Sequence, residues 1–375
     1  MNRFIPVSAP TLAGNEKTYV LDCLETNWIS SLGKYIEQFE DAFAAFCGVK
    51  HAISCCNGTA ALHVALLAMG VGPGDEVIVP TLTFVATANA VNYCGARPVM
   101  VDSEAETWNM DPTKIEQRIT SRTKGIIAVH LYGHPADMDP ILSIARKHHL
   151  FVLEDAAEAH GAEYKKVKVG ALGDVATFSF YGNKIITTGE GGMIVTNDPT
   201  IAARVRQLKG QGMDPKKRYW FPMIGYNYRM SNIAAAIGLA QLEKIDYHIA
   251  RRRELAEHYM SELARIPGFS IQPEKVWARN VYWMTSAVLE ENLPITRNDL
   301  MAKLAEVGIE TRPFFCPMHT LPMYQKDGAS MSFPVADRLS KTGLNLPSSA
   351  SLSKEDVNYV CAQIFRIFQR SRMTR

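Results

Sequence analysis

Between His51 and Asp155, short apolar runs alternate with stretches of helical character, and this limits the possible folds more than any other feature of the chain. HAISCC, DEVIVP, RPVMVDS, TKGIIAVHLYG and FVLEDAA read as strands. NGTAALHVALLAMG, TFVATANAVNYCG, PTKIEQRIT and DMDPILSIARKHHL read as the helices between them. Continuous Val/Ile runs, without polar alternation, mark strands buried on both faces. The repeated strand–helix unit therefore predicts an α/β domain around a mostly parallel sheet. VATFSF and GGMIVTND lie too close together for a helical crossover, so at least one of them is expected to run antiparallel.

The flanking regions read differently. YIEQFEDAFAAFCG carries Phe39, Phe43 and Phe46 at spacings of four and three, the signature of an amphipathic helix. DPKKRYWFPMIGYNYRMSN is long, polar-aromatic and without clear period, and loops of this length are often functional. From Ser231 to Arg265 helical character is nearly unbroken, which predicts a connector. VYWMTSAVL, RNDLMAKLAEVG, IETRPFF and KEDVNYVCAQIFRIFQ then read as strand, helix, strand and helix. At 375 residues the chain has room for two domains. The expected division is a large domain over residues 1–245 and a small α+β domain over 246–375.

Composition excludes several functions. Forty basic and 38 acidic residues give a net charge of +2, which offers no electrostatic case for nucleic acid. No apolar run approaches membrane-spanning length, and MNRFIPVSAPTLAG has no signal-peptide core. Seven cysteines, scattered singly apart from Cys55-Cys56, do not form a disulfide framework. A reducing cytoplasm is the expected compartment.

In open parallel sheets ligands bind beyond the carboxyl ends of the strands. Asn57-Gly58-Thr59 falls there, where a helix N-terminus would suit a phosphate or an ordinary cap. Glu154-Asp155 ends another strand, placed for a protonated ring nitrogen, for acid–base work or for a metal. Metal is disfavoured: His160 has no ligand spacing to them, and His130 and His134 sit on a loop. Lys184 stands in FSFYGNKIITTGEGGM, between two strands, as either a solvated loop lysine or an amine that forms a Schiff base with a carbonyl cofactor. Phosphate donors, a carboxylate, the aromatic Phe84 and a lysine together describe a pyridoxal phosphate site.

The chain also resembles the DegT/DnrJ/EryC1/StrS sugar aminotransferases, a branch of the fold-type I pyridoxal phosphate enzymes. The resemblance rests on NGTAALHVAL, GDEVIVPTLTFVATANAV, GARPVMVD, VHLYGHPADM, EDAAEAHGA, FSFYGNKIITTGEGGM and GYNYRMSNIAAAIGLAQL, and covers nearly the whole chain. It implies a mixed seven-stranded sheet, a smaller C-terminal domain and a homodimer with shared active sites. It implies Lys184 as the Schiff-base lysine and proton shuttle, and Asp155 as partner of the pyridine nitrogen. Gly58, Thr59 and Ser179 would hold the phosphate, with Asn227 reaching in from the neighbouring subunit, and Phe84 would stack on the ring. Glu158 stands where the family often has Gln, near the ring hydroxyl. Arg229 is a candidate for a substrate carboxylate, and His319 and Trp220 for the nucleotide-sugar cleft or for packing at the domain interface.

Within the family, RYW before IGYNYRM, VYWM and IETRPFFCPMHTLPMY resemble the group that aminates C4 of GDP-4-keto-6-deoxy-D-mannose with L-glutamate. Enzymes for UDP- or dTDP-sugars more often carry a His-containing segment before the lysine. Two other readings are a sugar dehydratase using the amine form of the cofactor, in which His replaces the lysine, and a regulator with an added DNA-binding domain. Lys184 argues against the first. The roughly fifty residues before the α/β pattern argue against the second.

Overall fold

The computed structural model describes residues 3–325 and 331–373. Two helices, α1 (Glu16–Glu25) and α2 (Lys34–Cys47), lead into the alternating region. There β1 (His51–Cys55), α3 (Gly58–Ala68), β2 (Glu76–Pro80), α4 (Ala86–Tyr93), β3 (Arg97–Val101), β4 (Thr123–Val129), α5 (Met138–His148) and β5 (Phe151–Asp155) follow in turn. A hairpin of β6 (Glu163–Tyr164) and β7 (Val167–Lys168) precedes β8 (Val175–Ser179), β9 (Gly192–Thr196) and α6 (Pro199–Lys209).

The main sheet has seven strands in the order β1-β9-β8-β5-β4-β2-β3. β9 pairs antiparallel with both β1 and β8, and the other neighbours are parallel. The expected mixed, mostly parallel seven-stranded sheet is thus present, with the reversal at the strand that lacks room for a crossover. β2, β8 and β9 are buried along their whole length, as their apolar runs require. The carboxyl ends of β1, β2, β4, β5 and β8 lie on one side of the sheet.

The period of two in β8 divides its side chains between two tasks. Phe178 and, just beyond the strand, Phe180 face α2. There Phe43 meets them edge-on at ring-centroid distances of 4.9 and 5.4 Å, and Phe39 lies 5.1 Å from Phe180. Thr177 and Ser179 are left on the ligand side. α2 is therefore the backing against which β8 is set.

Beyond the sheet, α7 (Asn232–Leu242) and α8 (Ile245–Leu263) lead to β10 (Phe269–Ile271), β11 (Ala278–Arg279), β12 (Thr285–Leu289), α9 (Arg297–Glu306), β13 (Arg312–Pro313), α10 (Pro334–Thr342), β14 (Gly343–Leu346) and α11 (Lys354–Met373). β10-β12-β14-β13 form an antiparallel sheet. Leu255, Tyr259, Leu300, Leu344, Val357 and Ile364 belong to a separate core on it. Ile5 joins that core and bridges to Ile309, so the first residues of the chain cross to the far end of the molecule.

Four local expectations need correction. PTKIEQRIT forms two short 3-10 turns, the first opened by Pro112 under an Asp111 cap. The helix expected from 231 to 265 breaks at Lys244, whose φ of −112° and ψ of 11° are not helical. α7 is apolar all round because α1 and α2 enclose it, whereas α8 buries one face, so the two segments serve different neighbours. In VYWMTSAVL only Thr285–Leu289 is strand, and Tyr282 lies at φ 47°. IETRPFF pairs only over Arg312–Pro313.

Phe43→Ala removes the ring on which Phe178 and Phe180 rest. It is expected to cost about 3–5 kcal/mol in denaturant unfolding. A loss below about 1 kcal/mol would show that α2 does not support β8.

Candidate active site

The carboxyl ends of the strands enclose a cavity of about 680 Å³. Gly58, Thr59, Phe84, Asp155, Glu158, Ser179 and Lys184 all line it. Segments far apart in sequence thus converge at the strand ends, as the topology dictates.

Lys184 is held by its own loop. Ile185 and Ile186 beside it are buried. Its N–H donates to the Tyr181 carbonyl at 2.9 Å, and the Thr188 N–H and Thr187 hydroxyl both donate to the Phe180 carbonyl at 2.9 Å. Gly189 at φ 82° closes the turn. The Lys184 side chain is only 11% exposed, so the solvated-lysine reading fails. Its Nζ lies 4.0 Å from Glu158 Oε1 and 4.0 Å from the centre of the Trp283 ring. Burial pulls the amine below the usual lysine range, while Glu158 and Asp155 pull it back up.

The two carboxylates of Glu154-Asp155 point to opposite faces of β5. Asp155 faces the cavity. Its Oδ2 accepts from the Thr87 hydroxyl at 2.8 Å and its Oδ1 from the Ala157 N–H at 3.3 Å. Burial raises its pKa, with the Thr87 and Ala157 hydrogen bonds opposing. Glu154 is structural: it accepts from the N–H groups of Gly170, Leu172 and Gly173 at 2.8–2.9 Å and faces His130 Nε2 at 3.0 Å. Burial raises Glu154, but His130 and the backbone donors outweigh it and hold the group low. The two carboxylates therefore do not converge on one point, and among the described residues no group of three or more His, Cys, Asp or Glu could hold a metal ion.

At the third corner, Asn57 caps α3, accepting from the Ala60 N–H at 2.8 Å. The first-turn N–H groups of Gly58 and Thr59 then point beyond the helix, where an anion is favoured. A Cβ on Gly58 would meet the Ser179 Cβ at 2.8 Å, so the two backbones approach as only glycine allows. The Thr177 Oγ1 is buried on the same wall without a hydrogen-bond partner. A helix N-terminus for a phosphate, a buried carboxylate for a ring nitrogen and an amine between them fit pyridoxal phosphate. Phe84, 54% exposed at the rim, offers its ring to one face.

Four predicted residues do not line this chain's cavity. Asn227 and Arg229 lie together on the outer surface, with Arg229 Nη2 donating to Asn227 Oδ1 at 3.1 Å. Trp220 is exposed and sits under the Lys217 ammonium. His319 is spent on packing: Nδ1 is 2.8 Å from the Thr81 hydroxyl, Nε2 is 3.0 Å from Asp337, and the ring stacks on Phe333.

Other site residues were not picked out in the sequence. Thr87 carries no motif beyond its place one helical turn past Thr83. Trp283, Arg312, Phe315 and Asn345 come from the chain after α8, the far lobe, and line the same cavity. VYWM and TRPFF carry part of the family resemblance, but nothing local in them says which side chain turns inward.

Glu158 accepts from the Tyr132 N–H at 2.8 Å, and burial pushes its pKa up to about 7. A carboxyl raised in the folded state contributes stability below its unfolded pKa of 4.5, and that contribution is lost as pH rises through about 7. Glu158→Gln does not titrate. The variant apoprotein is expected to gain stability over wild type progressively from pH 4.5 to 7, read by thermal melting. A difference that stays flat with pH would contradict this.

A profile of the DegT/DnrJ/EryC1/StrS aminotransferase family matches residues 10–365. The chain is 55% identical to GDP-perosamine synthase of Caulobacter vibrioides, covering 97% of this chain and 98% of that one. It is 51% identical to GDP-perosamine synthase of Escherichia coli O157:H7, covering 96% and 98%. Among solved structures it is similar to Helicobacter pylori PseC, an aminotransferase involved in the biosynthesis of pseudoaminic acid, with a TM-score of 0.93, 28% identity and coverage of 98% and 100%. The chain belongs to the DegT/DnrJ/EryC1/StrS aminotransferase family of pyridoxal phosphate enzymes.

Proposed function

We propose that this enzyme transfers the amino group of L-glutamate to C4 of GDP-4-keto-6-deoxy-D-mannose, giving GDP-perosamine and 2-oxoglutarate for surface-sugar synthesis. The observation that carries the reading is one cavity lined by Lys184, Asp155 and the Gly58–Ser179 cradle. The GDP-linked sugar rests on the Caulobacter and Escherichia relatives.

Bound pyridoxal phosphate supplies an electron sink for the carbon that exchanges the amine. The chain's own residues do the rest. Lys184 holds the cofactor and, once free, moves the proton at the substrate carbon; burial increases the neutral fraction that this task needs. Asp155 keeps a proton on the ring nitrogen, and Thr87 fixes the carboxylate that holds it. Gly58, Thr59 and Ser179 hold the phosphate, and Glu158 stands beside the ring hydroxyl. Arg312 takes the anion role assigned to Arg229 within one chain, because it is the guanidinium lining the cavity. Trp283, Phe315 and Asn345 exclude water from the same side.

The finer assembly is also part of this reading. Residues 1–245 carry the cofactor and 246–375 close over it. Two copies associate in the cytoplasm, so that the outward-facing Asn227 and Arg229 of each complete the site of the other. Trp28, Ile29, Leu32, Tyr219, Phe221 and Ile224 are exposed apolar residues that a second copy would cover. The presence of Lys184 argues against the dehydratase reading. Among the described residues no helix is long and apolar enough to cross a membrane.

The test supplies GDP-, UDP- and dTDP-linked 4-keto-6-deoxy sugars with glutamate and identifies products by mass and NMR. Amination of the GDP sugar at C4 is expected, and Lys184→Ala should reduce it by at least a thousandfold, on the scale of losing an essential catalytic group. Preference for a UDP or dTDP sugar, or normal turnover without Lys184, would overturn the proposal.

A further inference from the structure

The far lobe grips the lysine loop at one tryptophan. Trp283 is 5% exposed, and its indole N–H donates to the carbonyl of Asn183, the residue before Lys184, at 2.7 Å. Its own carbonyl accepts from Arg252 Nη1 at 2.6 Å. Arg252 is buried in α8, and it also donates to the Ser348 carbonyl at 2.8 Å and, from Nη2, to the Lys184 carbonyl at 3.5 Å. One guanidinium therefore ties together the lysine, the tryptophan and the chain after β14. The backbone is bent to permit this. Tyr282 lies at φ 47°, and a Cβ on Gly133 would meet the Trp283 nitrogen at 2.8 Å.

The result is that the Lys184 ammonium lies 4.0 Å over the centre of the Trp283 ring. We infer that Trp283 is a positioning residue that holds the free Lys184 amine on its ring face between the steps in which the lysine bonds the cofactor. This rests on the role given to Lys184 above. An amine on a four-carbon stem has many rotamers, and a flat wall with negative potential selects one of them. The ring also favours the charged amine, against burial. The other charged or titratable groups facing Lys184 are Glu158 and Asp155 from the end of β5, His160 behind them, Arg252 from α8, and Arg312 and Glu190 around the cavity.

Size must be kept constant in the test, because a smaller residue would admit water and raise the amine pKa on its own. The full-length protein is produced with tryptophan carrying increasing numbers of ring fluorines, which weaken the negative face with little change in shape. The apoprotein is then mixed with pyridoxal phosphate, and the visible absorbance of the lysine-bound cofactor is followed against pH. Only the neutral amine condenses, so the midpoint of capture reports its pKa. A weakened ring face should move the midpoint down stepwise, by about 0.5–1 pH unit over the series. Trp283→Phe protein grown in the same way should show no such trend, although it retains four other tryptophans. A flat series, or an equal slope in Trp283→Phe, would overturn the inference. Lys184→Ala tests the underlying reading separately, because loss of capture there with a flat fluorine series faults only the role of Trp283.

Discussion

A primary amine and two carboxylates lie almost wholly buried at one cavity, and the rest of the molecule is arranged around tolerating that. Charges in such a place are costly unless each meets its opposite. Lys184 and Asp155 are both pushed by burial toward their neutral forms and pulled back by each other. The balance is an incomplete one, and this suits a site that receives an anionic phosphate and a ring with an exchangeable proton. Glu154, one residue from Asp155, shows the contrast: His130 and three N–H donors occupy its oxygens on the face away from the cavity.

The fold supplies the geometry through the periods of its elements. Alternation in β5 sends Asp155 inward and Glu154 outward. Alternation in β8 gives Phe178 and Phe180 to α2 and Thr177 and Ser179 to the ligand side. The antiparallel β9 returns the chain quickly enough for the Lys184 loop to be short and pinned at both ends. The far lobe contributes the wall rather than the floor, and its grip on the loop passes through Trp283 and Arg252.

What could be read from the sequence follows from how local each signal is. Asn57-Gly58-Thr59, Asp155 and Lys184 sit at strand ends, where a rule of topology converts position in the chain into position in space. The sheet and its reversal were legible for the same reason, since strand runs and short connections are local. Thr87, Trp283 and Arg312 reach the cavity by tertiary packing, and no spacing announces it. His319 left two readings open in the sequence, the nucleotide-sugar cleft or packing, because only the fold brings Thr81, Asp337 and Phe333 to it. The continuous helix expected over 231–265 failed because helical propensity does not record the change of partners at Lys244.

Under the proposed function, the buried Asp155 carboxylate would keep the cofactor ring nitrogen protonated. Nitrogen NMR of the holoenzyme loaded with ring-labelled pyridoxal phosphate measures this directly. A protonated pyridinium signal is expected throughout the neutral range in wild type, with its loss in Asp155→Asn. An unprotonated nitrogen in wild type, or one unaffected by the substitution, would contradict it.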